Sequence, residues 1–122
     1  MYGYTGKILR VDLTKEKARI ELLNEDYMKR YIGGVGYAVK LVYDNIKSNV
    51  DSLSPENVLV LTTGPTSGVM APTGWAHVFA AKSPLTGAMG VSVVHGFFAR
   101  NMKMAGYDAI IFKGRSRKPL PD

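Results

Sequence analysis

The sequence contains no cysteine. It can form no disulfide, and by itself it can ligate neither an iron–sulfur cluster nor a thiolate-bound zinc ion. Histidine is scarce as well, with two residues, and tryptophan occurs once. His77 and His95 do not stand at a metal-ligating spacing, and no P-loop and no serine or cysteine nucleophile motif is present. No run of about 18 apolar residues occurs, so no membrane-spanning helix is expected. The opening residues, Met1-Tyr2-Gly3-Tyr4-Thr5-Gly6-Lys7, lack the apolar core of a secretory signal. A cytoplasmic location is the default expectation. There is no internal repeat and no low-complexity segment.

What is present suits one compact domain. The chain has 122 residues, 46% apolar and 21% charged, which argues against disorder and against a fibrous class. Sixteen Lys and Arg against ten Asp and Glu give a net charge of +6. An anionic partner is one reading of that excess. The favoured one is a solvated tail, because Lys113, Arg115, Arg117 and Lys118 sit together near the C-terminus. The aromatic residues form no stacking platform, which argues against a nucleic-acid partner.

Alternation over Lys7–Leu13 and again over Ala18–Leu22, with Thr14-Lys15-Glu16-Lys17 between them, predicts an N-terminal hairpin. Asn24 is placed to cap a short helix over Glu25–Tyr31, with acidic residues in its first turn. After Gly33-Gly34, a second helical pattern carries Val35, Ala38, Val39, Val42 and Ile46 at three- and four-residue steps. Val58–Thr63 reads as a buried strand. Gly64–Gly74 holds three glycines and two prolines and reads as a loop long enough to be functional. Trp75–Ala81 and Ala88–Val94 predict strands around a turn, Gly96–Met104 a short helix closed by Gly106, and Asp108–Lys113 a last strand. About six strands and three short helices, with connections mostly too short for helical crossovers, predict a strand-rich α+β domain with a largely antiparallel sheet.

Few residues in this pattern carry chemistry by themselves. Gly33-Gly34-Val35-Gly36 opens a helix and has amides to offer a phosphate, but it lacks the full dinucleotide fingerprint. A turn at the start of a helix is the better account. His77 lies in an apolar strand, where a structural role outweighs a ligating one. His95 stands before Gly96 at a strand-to-helix junction, a place that favours anions, and both a functional and a structural role remain open. Asp108 reads as a carboxylate stabilising a turn through nearby amides, ahead of a general base.

Several segments, taken in order, resemble the N-terminal domain of the aldehyde:ferredoxin oxidoreductase family. They are Met1-Tyr2-Gly3 with Gly6-Lys7-Ile8-Leu9-Arg10-Val11-Asp12-Leu13, Tyr31-Ile32-Gly33-Gly34, Leu53-Ser54-Pro55-Glu56-Asn57 and Ala71-Pro72-Thr73-Gly74, followed by Lys82-Ser83-Pro84-Leu85-Thr86-Gly87 and Lys103-Met104-Ala105-Gly106-Tyr107-Asp108-Ala109. The resemblance covers essentially the whole chain. It implies a tungsten atom, in some relatives molybdenum, held between two pterin cofactors. It also implies oxidation of an aldehyde to a carboxylic acid, with electrons passing through an iron–sulfur cluster to ferredoxin. Residues 1–122 then correspond to the strand-rich pterin platform or part of it. The cluster cysteines and most of the substrate pocket belong to later domains, so a segment without cysteine is what the resemblance implies.

By the same resemblance the pterin-contacting stretches are Ala71–His77 and Ser92–Gly96. Within them and beside them, Thr73, Gly74, Ala76, His77, Lys82, Val93, Val94, His95 and Gly96 are the candidate cofactor-binding residues; no catalytic residue and no metal ligand is expected. The chain departs from the family pattern at three places. Ala76 stands where an arginine is common, and Val93 where a polar residue linked to a magnesium ion is common. Gly33-Gly34-Val35-Gly36 replaces a Gly-Gly-Arg-Gly pattern. Losing an arginine removes a fork-shaped phosphate donor, for which Lys82 or His77 are the candidate substitutes.

Three readings follow. The chain is the N-terminal segment of such an oxidoreductase, inactive alone and completed by the remainder of the enzyme or another subunit. Alternatively it is a standalone pterin carrier, or a non-catalytic scaffold that self-associates. The ending Arg115–Asp122 breaks off where the family's strand would continue, which favours the first. A half-domain leaves apolar surface exposed, so a homo-oligomer is expected.

Overall fold

The N-terminal hairpin is set by its turn. In the computed structural model, which describes residues 3–47, 49–67 and 76–118, strand β1 (Lys7–Asp12) pairs antiparallel with β2 (Lys17–Leu22), Asp12 opposite Lys17. The Asp12 carboxylate accepts from the amides of Thr14 (3.0 Å) and Lys15 (3.1 Å), closing the turn. Helix α1 (Glu25–Tyr31) starts as its sequence dictates. The Asn24 side chain accepts from the amides of Asp26 and Tyr27, acidic residues occupy the first turn, and Lys29 and Arg30 the last. Helix α2 (Gly34–Asn45), β3 (Val58–Thr63), β4 (Ala76–Lys82), β5 (Met89–His95), α3 (Phe97–Met104) and β6 (Ala109–Lys113) complete the fold.

All six strands join one sheet in the order β2-β1-β6-β3-β4-β5. Four of the neighbouring pairs are antiparallel; β1 and β6 run parallel. The fold is α+β with a largely antiparallel sheet, as the sequence predicts. The last strand does not add at an edge. It inserts between β1 and β3, so the first and last strands lie side by side within the sheet.

Alternation assigns Ile8, Val58, Val60, Val78, Ala80, Ala109 and Ile111 to one face, where they pack with Tyr37, Ala38, Leu41 and Val42 of α2 and Met28 of α1. The helical stripe is rotated from the sequence expectation. Val35 is 44% exposed, whereas Tyr37 and Leu41 are buried. The reason is positional: Gly33 and Gly34 begin α2 against the end of β3, and that contact fixes which side of the helix meets the sheet. Among the described residues, the opposite face is covered only in part. Helix α3 packs there through Ala99 and Met102, while Leu59 and Ile20 stay solvent-exposed on that face.

Candidate functional site at one end of the sheet

Strands β3 and β5 finish, and β4 and β6 begin, at the same end of the sheet. Both longer helices start there as well. The hydroxyl of Thr62 donates to the carbonyl of Gly34 (2.8 Å), pinning the first turn of α2 to β3. A Cβ on Gly33 would lie 2.9 Å from the Thr63 carbonyl oxygen and 3.0 Å from Gly64 Cα, both backbone atoms, and its φ is +155°. Close backbone approach therefore requires glycine here. The Gly33-Gly34 pair acts as a helix start packed on β3.

Helix α3 follows β5 after a single residue. Gly96 stands at its N-cap with φ +147° and makes no side-chain capping bond, so no side chain of the cap occupies the first amides of α3. His95 is exposed and lies opposite Ala76 in the β4–β5 ladder; Val94 lies opposite His77, and Val93 opposite Val78. Val93 and Val94 are 51% and 38% exposed. Ala76, His77, Val93, Val94, His95 and Gly96 are thus brought together at this end.

His77 is buried, with its ring against Phe79 (centroids 5.4 Å apart) and Phe98 of α3 (5.3 Å). Its Nδ1 has no hydrogen-bond partner among the described residues. Loss of solvent, and then the neighbouring His95, push its pKa below the ordinary value of 6.5, so at neutral pH the ring is uncharged. A neutral imidazole does not replace a missing arginine.

Lys82 is not part of this group. It ends β4, six residues and roughly 20 Å from Ala76. Its Nζ donates to the Val50 carbonyl and its backbone meets Asn57. It also lines a groove of 460 Å³ with Tyr43, Ile46, Lys47 and Met89, at the far end of the sheet. Thr73 and Gly74 lie outside the described residues.

Asp108, where β6 begins, has a different role from the local one its sequence suggests. Its carboxylate accepts from the amides of Thr5 (3.1 Å) and Gly6 (2.8 Å), a hundred residues away, and forms a buried ion pair with Lys103. Lys103 donates also to the Gly3 carbonyl (2.8 Å) and sits over the Tyr4 ring. The Asp108 carbonyl accepts from the amide and the hydroxyl of Thr63. This network anchors the N-terminal segment beside the strand ends. Sequence reasoning assigned Lys103 no role, since nothing in its local pattern distinguishes it from a surface lysine on an amphipathic helix.

The profile of the family described as "Aldehyde ferredoxin oxidoreductase, N-terminal domain" matches residues 8–120. The chain belongs to this family. The tungsten-containing aldehyde ferredoxin oxidoreductase of Pyrococcus abyssi is 41% identical over 120 residues, which cover 98% of this chain and 20% of that protein. The enzyme of the same name from Thermococcus kodakarensis is 38% identical over the same share of each. An aliphatic sulfonate oxidoreductase, WOR-like subunit, of Pyrococcus furiosus is 36% identical, covering 98% of this chain and 19% of that protein. The fold also matches the active site complex BamBC of benzoyl coenzyme A reductase with a TM-score of 0.93 and 36% identity, covering 96% of this chain and 18% of that one. This member of the aldehyde ferredoxin oxidoreductase family therefore spans about a fifth of the length of the curated relatives it matches.

Proposed function

We propose that this domain is the N-terminal platform of a tungsten- or molybdenum-pterin oxidoreductase that converts an aldehyde to a carboxylic acid and passes the electrons to ferredoxin. It is completed by further polypeptide and is inactive alone. The observation that carries this reading is the exposed, uncharged end of β5 running through Gly96 into an uncapped helix, in a chain 41% identical to a tungsten-containing aldehyde ferredoxin oxidoreductase.

The described residues suit some parts of a pterin cofactor better than others. The exposed apolar side chains of Val93 and Val94, one on each face of β5, and the backbone around His95-Gly96 offer apolar contacts for a ring system, and the first amides of α3 suit an anionic oxygen. No arginine or lysine side chain stands at Ala76 or Val93, and His77 is neutral. Most phosphate charge must therefore be met by residues beyond this group. No cluster of three or more His, Cys, Asp or Glu among the described residues is arranged to hold a metal ion. The metal would be carried by the pterins and by later segments. When bound, such a centre supplies the two-electron redox chemistry of aldehyde oxidation. In this reading the residues of this chain bind and orient the cofactor.

The test is the metal and pterin content of the protein purified anaerobically from its native source, together with its intact mass. Tungsten or molybdenum with pterin on a longer polypeptide is the expected result. A 122-residue chain with pterin would make it a carrier instead. The same chain with neither would refute the platform reading and leave a scaffold, a second reading that the uncharged Ala76 and Val93 favour.

A further inference from the structure

A buried pair of charges lies at the same end of the sheet as the candidate site. Lys103 and Asp108 are both buried, and their polar atoms are engaged. The ammonium donates to Asp108 Oδ1 and to the Gly3 carbonyl (2.8 Å), and it lies over the Tyr4 ring, 5.3 Å from the centroid. The carboxylate accepts the Thr5 amide on Oδ1 and the Gly6 amide on Oδ2. Two apolar side chains of similar size would stabilise this place about as well, because desolvating both charges offsets most of their attraction. A fully paired network adds what an apolar contact lacks, which is direction: its donors and acceptors fit together in one geometry.

The segment held by that pair, residues 3–6, touches the parts of the fold that frame the site. The Tyr4 hydroxyl donates to the Ile32 carbonyl, where α1 ends and Gly33 opens α2. Gly3, at φ +83°, lies against Pro65: a Cβ there would stand 3.0 Å from both the Pro65 Cβ and its carbonyl oxygen. Pro65 stands near the start of the stretch 64–74, and Ser67 ties that base to β4. Its hydroxyl accepts from the Gly64 amide (3.3 Å) and donates to the Ala76 carbonyl (3.4 Å). Lys103 itself belongs to α3, which begins at Gly96. We infer that Lys103 is a positioning residue of the candidate site. Its ammonium clamps residues 3–6 between α3 and Asp108, and that segment sets where Pro65 and Ala76 stand relative to the start of α3. Lys103 is buried and acts only through these neighbours.

The inference rests on the platform reading for its functional readout, cofactor retention, while hydrogen exchange tests the clamp without any cofactor. Lys103→Met removes the clamp and leaves Asp108 its two amide donors. The Thr63 amide is bonded to the Asp108 carbonyl, the Gly64 amide to the Ser67 hydroxyl and the Ser67 amide to the Gly64 carbonyl. In the complete polypeptide these three amides should exchange about tenfold faster in the variant, while those of the β1–β2 hairpin keep their rates. Bound pterin, followed by its fluorescence after release on dilution, should be lost about fivefold faster or more.

Two further variants separate positioning from stability. Gly3→Ala pushes on Pro65 without touching either charge, and it should shift both readouts in the same direction. Leu41→Ala weakens the fold at least as much as Lys103→Met from the other face of the sheet, and it should leave both readouts at their wild-type values. Pterin loss from Leu41→Ala as fast as from Lys103→Met overturns the inference, since retention would then follow stability alone. Unchanged pterin loss in Lys103→Met also overturns it, with or without faster exchange, and leaves the platform reading standing. A wild-type protein that carries no pterin refutes the platform reading and the positioning role with it. Should Lys103→Met fail to fold, Gly3→Ala decides: wild-type exchange and wild-type retention in that variant overturn the inference.

Discussion

Removing the Asp108 carboxylate should destabilise the domain more than any other single change outside the apolar core. Asp108→Ala deletes the acceptor for the Thr5 and Gly6 amides and leaves Lys103 as a buried ammonium without its carboxylate. Breaking one side of a buried pair costs about 3–5 kcal/mol, because the remaining charge has lost both water and partner. A domain of this size has about 5–15 kcal/mol of stability in total. The expected fall in Tm is about 10–30 °C, at roughly 3–6 °C for each kcal/mol. Lys103→Met should cost less, about 2 kcal/mol, since the carboxylate keeps its two amide donors. The double variant should cost clearly less than the two single losses combined, by about 1–3 kcal/mol, because no unpaired charge is left. Urea denaturation followed by circular dichroism measures all four proteins. Hydrogen exchange at Thr5 and Gly6 would report whether the N-terminal segment is released. An Asp108→Ala loss below about 1 kcal/mol, or strictly additive losses, would refute the account of this pair as the anchor of the segment.

Three further outcomes are expected. His77 binds its proton less readily folded than unfolded. Stability should therefore be constant above the ordinary pKa of about 6.5 and decrease as pH falls below it, and His77→Phe should abolish that slope in urea midpoints taken between pH 7.5 and 5. Leu41→Ala, in the buried stripe of α2, should cost about 2–4 kcal/mol, whereas Val35→Ala should stay within about 0.5 kcal/mol by the same assay; equal losses would mean that the helix presents a different face. Gly33→Ala should cost about 2–3 kcal/mol, since its Cβ would meet backbone at 2.9 Å and 3.0 Å and the chain there has little freedom to retreat. A thermal melt unchanged from wild type would show that the start of α2 yields.

The sequence made local structure legible wherever a local cause sets it. Asn24 with Glu25 and Asp26 marked the start of α1, and the two alternating runs around Thr14–Lys17 marked the hairpin. The family motifs, spread in order along the chain, were equally legible, because they are strings of residues and need no coordinates. The rotated face of α2 was not. Apolar residues at three- and four-residue steps lie on more than one side of that helix, and the contact of Gly33 with β3 selects the side.

The candidate residues show the same division. The sequence placed His77 in an apolar strand and His95 at a strand-to-helix junction, and the sheet did bring Ala76, His77 and residues 93–96 together. Lys82 shares a strand with Ala76 yet stands at the opposite end of the sheet, since an extended chain separates its ends by about 3.3 Å per residue. Composition, caps and alternation thus determined the elements and the fold class, as each depends on neighbours in the chain. Only the tertiary structure decided that β6 would insert between β1 and β3 and that Asp108 would hold the amides of Thr5 and Gly6. Those are contacts between residues far apart in sequence, and they are settled by how the whole sheet buries its apolar face, which no local pattern records.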